Sequence, residues 1–254
     1  MSTSDGIPTQ ALETLLLALA DDELMLGHRN AEWTGYAPLI EEDIAFSNIA
    51  QDELGHSLAW FTLYQQLSNK KPDSLAFERE WSDYTCCRFV TYPKGDFAYT
   101  VVRQYLFDEA EQVRLRAFSL SPYEPIRDVS AKILREEAYH LMHSQGLIER
   151  LGDATEESHR RMQAALNDAF PQALGMFEAL EGEDELISSG IFGGNAKLRD
   201  EWLGRVQPVL ENATLLIPGA PADFGGRKRN HVEYLQQLVD DLQSVYKIAP
   251  GAKW

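Results

Sequence analysis

Two Glu-x-x-His motifs, Glu53/His56 and Glu137/His140, each follow a helix-like stretch that carries one further glutamate, Glu23 or Glu109. One glutamate from each of two helices and a Glu-x-x-His pair from each of two others form the ligand set of a di-metal helical bundle. Carboxylate and imidazole ligands suit iron or manganese, and the absence of cysteine near these positions argues against tetrahedral zinc or an iron–sulfur cluster. The pattern therefore indicates a carboxylate-bridged di-iron site with these ligands: Glu23, Glu53, His56, Glu109, Glu137 and His140.

The position of these residues on their helices is stronger evidence for a metal site than their spacing. In steps of three and four, each segment has one apolar seam, and the candidate ligands fall where Leu or Ile would otherwise stand. The four seams read Leu12, Leu16, Leu19, Glu23 and Leu26; Phe46, Ile49, Glu53, His56 and Trp60; Ala98, Val102, Tyr105 and Glu109, less regularly; and Ile133, Glu137, His140, Ser144 and Leu147. Four buried carboxylates would repel one another, and a divalent metal pair removes that objection. The alternative is a buried Glu/His network without metal, and the matched register of four segments favours metal.

A third copy of the motif, Glu156/His159, has a different setting. It follows an apparent helix break at Leu151 and Gly152, and Asp153 stands three residues before Glu156. Asp-x-x-Glu is a capping pattern at the start of a helix. We therefore predict that Asp153 and Glu156 cap a new helix and that this copy binds no metal.

Helical periodicity dominates the chain, and no stretch alternates as a strand would. We predict helices over about residues 9–33, then to about 67, from about 96 to 120 with Asp96 as its N-cap, and from about 125 to 151. The long connection over residues 73–95 would return the chain so that the third and fourth helices pair. Further helices are expected over about 153–180, 196–211 and after residue 229. The prediction is an all-α, ferritin-like four-helix bundle over about 9–151 with accessory helices over about 153–250, in a single domain of residues 1–254.

The composition of the chain disfavours some classes of binding partner and indicates a cellular compartment. The chain has 254 residues, 44% of them hydrophobic, enough for the core of one large domain or two small ones, and no linker demands two. Its formal charge of -17 makes nucleic acid or an anionic membrane surface an unfavourable partner. No apolar run has the length of a bilayer span, and residues 1–8 lack the features of a signal peptide. Together with two adjacent cysteines, Cys86 and Cys87, that suit a reducing compartment, these features predict a cytoplasmic protein.

Two sets of charged residues allow two interpretations each. Asp52 and Glu136 precede the motif glutamates, and a metal-bound histidine usually donates its second N–H to a carboxylate. They are either partners of the opposite motif's histidine or solvated surface charges. Arg227, Lys228 and Arg229 form a basic cluster that could meet phosphate groups, although a surface charge run beside a helix start is the commoner explanation.

Several longer segments resemble a known family. They are EWTGYAP at 32–38, EEDIAFSNI at 41–49, RQYLFD at 103–108, LIERLG at 147–152 and PGAKW at 250–254. In these segments the chain resembles the C subunits of bacterial phenylacetyl-CoA epoxidase, the multicomponent ring monooxygenase of phenylacetate degradation. The resemblance covers nearly the whole chain, and its segments are more specific than Glu-x-x-His.

The resemblance implies a ferritin-like fold and a cytoplasmic complex with a homologous catalytic subunit. In the family that partner holds the di-iron centre and binds phenylacetyl-CoA, while a separate reductase subunit delivers electrons from NAD(P)H. The C subunits are regarded as structural, with metal ligands often missing, whereas this sequence keeps all six. The chain is therefore expected to be a partner and scaffold that has its own di-iron site, or alternatively a catalytic di-iron oxygenase subunit. A ferritin-like ferroxidase is a third interpretation, but it leaves the segments at 32–38 and 41–49 unexplained.

Overall fold

A computed structural model describes residues 6–250 and 252 of the chain. The start of the sequence at Met1–Asp5 lies outside the described residues, as do Gly251, Lys253 and Trp254 of the C-terminal segment. Within the described part, nine α-helices and four short 3₁₀ turns make up the regular structure, and no strand occurs. The predicted all-α class is confirmed. None of these helices is long and apolar enough to cross a membrane.

The helices follow the predicted order. They are α1 (Thr9–Ala31), α2 (Ile40–Ser68), α3 (Pro72–Phe77), α4 (Phe97–Phe118), α5 (Glu124–Asp153), α6 (Glu156–Leu174), α7 (Glu183–Ser188), α8 (Asn195–Asn212) and α9 (Tyr234–Ile248). The four long helices that carry the candidate ligands end within a few residues of their predicted limits. The short helices α3 and α7 were not predicted, because one lies in the long connection and the other in a Gly-rich stretch.

The helix predicted to reach about residue 180 ends earlier, at Leu174. A 3₁₀ turn over Gly175–Phe177 follows it, and the backbone N–H of Asp223 donates to the carbonyl of Pro171 at 2.8 Å. A Cβ atom at Gly175 would collide with the carbonyl oxygen of Asp223. The distant Asp223 segment therefore packs on this turn, and that contact is not visible in local periodicity.

The chain divides into two compact units. One contains the described residues up to Thr14 together with Lys94–Phe224, and the other contains Leu15–Pro93 together with the described residues from Gly225 onward. Helices α4 to α8 belong to the first unit, while α2, α3, α9 and most of α1 belong to the second. Each unit thus contains one predicted Glu-x-x-His helix and the residues of its Glu partner, and a single domain over 1–254 stays a prediction.

In the unit of Leu15–Pro93, α1 and α2 are antiparallel neighbours. Ser57 on α2 donates its hydroxyl to the carbonyl of Ala20 on α1 at 2.8 Å. Near the other end of the contact, a Cβ atom at Gly27 would lie 3.1 Å from the Cβ atom of Glu53. Glycine therefore lets α1 approach α2 closely beside a candidate ligand.

Buried ion pairs hold α1 to the rest of this unit. Asp21 and Asp22 are fully buried, and they pair with Arg79 and Arg227 respectively. Burial would lower the pKa of Arg227, but the charge of Asp22 outweighs this effect and raises the pKa. The interpretation of Arg227 as part of a surface charge run was therefore wrong, since its guanidinium group neutralises a carboxylate on a helix more than two hundred residues earlier.

In the unit of Lys94–Phe224, α4 is the central helix. Trp202 on α8 donates to the carbonyl of Leu106 at 3.0 Å, and Ser144 on α5 donates to Asp108 at 2.6 Å. The predicted pairing of the third and fourth long helices is confirmed by the contacts between α4 and α5. The helix is buried on almost every side, which explains why its sequence shows no clean apolar seam.

The sequence predicts an N-cap for two helices of this unit. One of these predictions is confirmed and the other is wrong. Asp96 caps α4 as predicted, because its Oδ1 accepts the N–H of Tyr99 at 2.9 Å. The predicted cap at Asp153 was wrong, since α5 continues through this residue. Thr155 caps α6 instead: its hydroxyl accepts the N–H of Ser158, and the Ser158 hydroxyl accepts the N–H of Thr155, both at 3.0 Å.

Candidate metal centre

All six candidate ligands are buried. Glu53 and Glu137 are fully inaccessible, and the other four are 1–3% exposed. Their apolar seam neighbours are buried with them, including Leu19, Phe46, Tyr105 and Ile133. The prediction that these polar side chains occupy core positions of their helices is confirmed.

One half of the set forms a compact cluster in the α1/α2 pair. The Nδ1 atom of His56 lies 3.6 Å from Oε2 of Glu53 and 4.0 Å from Oε2 of Glu23. One ligand atom of each residue lies within 4.8 Å of the other two. Donors about 2.1 Å from a shared ion lie at most about 4.2 Å apart, so small side-chain movements bring all three onto one metal.

The other half is arranged differently. Nδ1 of His140 and Oε1 of Glu137 lie 2.9 Å apart on α5. Glu109 on α4 has an ion pair with Arg205 on α8, whose Nε donates to Oε2 at 2.6 Å. Among the described residues, Glu109 is not part of a group whose ligand atoms lie within 4.8 Å of one another. The structure therefore brings Glu137 and His140 together, and it holds Glu109 against an arginine.

The donor chemistry of both halves fits a divalent transition metal. Each half offers two carboxylates and one imidazole, the set that suits iron or manganese. Transfer of ionised carboxylates into a protein interior is costly unless a counter-charge compensates them. In the α1/α2 half, Glu23 and Glu53 are inaccessible and face the same imidazole nitrogen. A bound cation at this position would supply the compensating charge.

The third motif copy has no such setting. Glu156 is exposed, and Nδ1 of His159 lies 2.8 Å from the carbonyl oxygen of Gly152.

Asp52 and Glu136 are both partly buried, so neither is a fully solvated surface charge. Their assignment as partners of the motif histidines stays a prediction.

Two features beside the ligands are not visible in the sequence pattern. Arg205 lies on a helix whose local pattern gives no sign that it packs on α4. Tyr105, one turn before Glu109, is fully buried, and its hydroxyl has no hydrogen-bond partner among the described residues. Burial and the nearby charge of Glu109 raise the pKa of this phenol. The seam pattern shows that Tyr105 is on the core face, but only the tertiary structure shows its lack of a partner.

An all-α chain with paired long helices that bury Glu and Glu-x-x-His side chains is a protein of the ferritin-like class. Comparison with known families makes the assignment specific. The family model of the phenylacetic acid catabolic proteins matches residues 3–254, and the chain belongs to this family. It is also similar to the C subunit of 1,2-phenylacetyl-CoA epoxidase from Escherichia coli (strain K12), with 34% identity over 246 residues, which cover 96% of this chain and 99% of that protein. The family predicted from the sequence resemblance is confirmed.

Proposed function

We propose that the chain is the C-type subunit of a phenylacetyl-CoA epoxidase and acts as partner and scaffold for a homologous catalytic subunit. The observation that carries this proposal is the similarity to the C subunit of an epoxidase across 96% of the chain. Phenylacetyl-CoA would be the substrate of the whole complex, and a reductase subunit would supply electrons from NAD(P)H. The acidic balance and the lack of a spanning helix in the described part are compatible with a cytoplasmic complex.

A face of α2 supports a role in assembly. Ile40, Ile44, Leu54 and Leu58 are 40–72% exposed. At 100° per residue they fall on one side of the helix, as two apolar pairs with Ser47 and Gln51 between them, and we call this face the α2 stripe. Exposed apolar side chains grouped on one face are a feature of protein association sites. We assign this stripe to contact with the homologous catalytic subunit, because a helical partner can pack its own side-chain ridges against such a face.

We also propose that the six predicted ligands bind iron, with Glu23, Glu53 and His56 in one half and Glu109, Glu137 and His140 in the other. A bound di-iron pair supplies the capacity to activate O2 for transfer of an oxygen atom to an aromatic ring. The residues of this chain would fix the ligand positions and exclude water, since their helices bury every candidate ligand. The presence of the complete set is the observation that favours the second candidate function, a catalytic di-iron oxygenase subunit.

Reconstitution of the complex tests the scaffold role. Phenylacetyl-CoA-dependent NAD(P)H oxidation is measured with the catalytic and reductase subunits from the same organism, with and without this chain. We expect turnover to require the chain, and Leu54→Asp with Leu58→Asp to weaken its co-elution with the catalytic subunit. Replacement of Gln66, an exposed residue of α2, by Asp provides the matched control. Full turnover without the chain would refute the proposal.

One variant distinguishes the scaffold function from the catalytic function. Glu53→Ala with His56→Ala removes ligands but leaves the α2 stripe in place. A scaffold role predicts intact co-elution and unchanged turnover. If this variant assembles normally and abolishes turnover, the catalytic function is the correct one. Elemental analysis of the chain purified alone measures its iron content independently of turnover.

A further inference from the structure

The two halves of the predicted ligand set differ in one respect that the sequence does not show. In the Glu109 half, one carboxylate already has a cation beside it, the guanidinium group of Arg205 at 2.6 Å. In the α1/α2 half, the Nδ1 atom of His56 lies 4.0 Å from Glu23 and 3.6 Å from Glu53, and the three side chains already form a compact cluster. A neutral imidazole is itself a metal ligand, whereas arginine is protonated at any physiological pH and cannot bind a metal ion.

The position of Arg205 is fixed by the helix that carries it. Three residues earlier on α8, Trp202 is fully buried and donates its indole N–H to the carbonyl of Leu106 at 3.0 Å. Its ring also packs against Phe170 and Phe177, with centroids 5.5 and 5.2 Å apart. Arg205 and Glu109 are each three residues further along their helices than Trp202 and Leu106. The accessory helix α8 is thus anchored so that the arginine reaches the candidate ligand.

The ion pair competes directly with metal. Oε2 of Glu109 accepts a charge-assisted hydrogen bond, so that oxygen is not available to a metal ion while the pair is closed. The guanidinium also supplies the positive charge that a buried carboxylate needs, and this reduces the gain from metal binding. About a third of the Arg205 side chain is exposed, so the guanidinium group can swing into solvent when a metal displaces it.

From these contacts we propose that Arg205 acts as a latch on Glu109, so that the chain fills its two metal positions unequally. The Glu23/Glu53/His56 cluster binds first, and the Glu109/Glu137/His140 set binds its ion more weakly, because that ion must compete with Arg205 for the Glu109 carboxylate. This inference rests on the proposed metal binding and adds a positioning residue from outside the ligand set. It assigns α8 a role in controlling metal content.

Metal titration of the full chain tests the latch. The metal-free protein is titrated with Mn²⁺ by equilibrium dialysis, and bound metal is counted by elemental analysis. We expect a first ion per chain and a second bound at least about tenfold more weakly, the factor set by one charge-assisted hydrogen bond. Arg205→Gln should tighten the second phase by about the same factor and leave the first unchanged. Glu109→Gln should abolish the second phase only.

A control on the same helix separates the latch from a general charge effect. Arg199 on α8 is exposed and pairs with Asp200, so Arg199→Gln removes one positive charge without touching Glu109. This variant should bind both ions as the wild type does, and Arg205→Lys should give an intermediate second phase. Each variant is checked by thermal melting, and a variant that binds the first ion normally is folded around the α1/α2 cluster.

The outcomes distinguish the latch from the metal proposal itself. Two equal phases in the wild type would overturn the latch, and so would a second phase unaffected by Arg205→Gln; either result leaves the metal proposal standing. If the wild type binds no Mn²⁺ and no Fe²⁺ under anaerobic conditions, both the metal proposal and the latch fail. The scaffold role is tested separately by co-elution.

Discussion

Arg227, in the C-terminal part of the chain, donates two hydrogen bonds to the carboxylate of Asp22 on α1, from Nη1 to Oδ1 at 2.9 Å and from Nη2 to Oδ2 at 2.5 Å. Both side chains are almost completely buried. Asp22 also accepts the backbone N–H of Cys87 at 2.8 Å. The carboxylate next to the candidate ligand Glu23 is thus fixed by three donors, so α1 has little freedom to rotate at this point.

Replacement of Arg227 by Met should therefore strongly destabilise the folded protein. The change leaves the charge of Asp22 buried with only part of its compensation, which costs about 3–5 kcal/mol in comparable ion pairs. Urea denaturation measures the free energy of unfolding. Lys228→Met, on the exposed neighbouring residue, is the control and should change it by no more than about 0.5 kcal/mol. Equal effects of the two substitutions would contradict a structural role for the pair.

The start of α6 gives a second prediction. Thr155→Ala removes the hydroxyl that accepts the Ser158 N–H at 3.0 Å, and should lower the free energy of unfolding by about 1 kcal/mol. Asp153→Ala is the matched control, because this exposed residue lies at the end of α5 and makes no cap. If Asp153→Ala proves the more damaging substitution in thermal melts, the cap assigned to Thr155 is wrong.

The long helices and the buried register of the ligands were predictable, because both depend on local periodicity. Seam positions such as Glu23 and Glu137 are buried where the three-and-four spacing put them. The cap at Thr155 was not predicted because two capping patterns overlap at this helix start. Asp153 and Glu156 form one of them, and Thr155 and Ser158 form the other. Arg205 and Arg227 were beyond sequence reasoning, since their partners Glu109 and Asp22 lie 96 and 205 residues away.

The adjacent cysteines give a third prediction. Cys86 and Cys87 are free and fully buried, and burial, followed by the nearby acidic charges of Asp21 and Asp22, raises the pKa of Cys86. Burial likewise raises the pKa of Cys87. Since the thiolate is the reactive form, neither should react with a thiol reagent in the folded chain at pH 8, and both should react after denaturation. Rapid modification of the native protein, counted by mass spectrometry, would show that the segment opens.

Tyr84 gives a prediction about alkaline stability. Burial is the main cause that raises its pKa to about 12 from an ordinary value of 10. The folded state therefore keeps the proton that the unfolded chain loses, so this contribution to stability is complete below about pH 10 and is lost as the pH rises to about 12. The loss should approach about 1.4 kcal/mol per pH unit in that window.

The matched variants for this test are Tyr84→Phe and Tyr36→Phe. Tyr84→Phe removes the hydroxyl that donates to the carbonyl of Ala76 at 2.6 Å, so it should be less stable at neutral pH by about 1 kcal/mol. Its stability should fall less steeply than that of the wild type between about pH 10 and 12. Tyr36 is 77% exposed, and Tyr36→Phe should retain the wild-type slope. Parallel curves for the wild type and Tyr84→Phe would contradict the prediction.

Gly27 provides the sharpest test of the α1/α2 cluster. A Cβ atom at this position would lie 3.1 Å from both the carbonyl oxygen of Ala50 and the Cβ atom of Glu53, so α2 would have to shift by a few tenths of an ångström. Gly27→Ala gains about 1 kcal/mol of helix propensity, which offsets part of the crowding. Its stability should therefore change little. The affinity of the first Mn²⁺ should fall by about tenfold, as is usual when the support of a metal ligand is altered.

Gly55 on α2 is the matched control for this experiment. A Cβ atom there meets nothing within 4 Å, so Gly55→Ala should stabilise the helix by up to about 1 kcal/mol and leave the metal affinity unchanged. Competition with a chelator measures the affinity of both variants, and urea denaturation measures their stability. Equal metal affinities for Gly27→Ala and Gly55→Ala would mean that the close approach of α1 to Glu53 does not position a metal ligand, because only Gly27→Ala displaces that side chain.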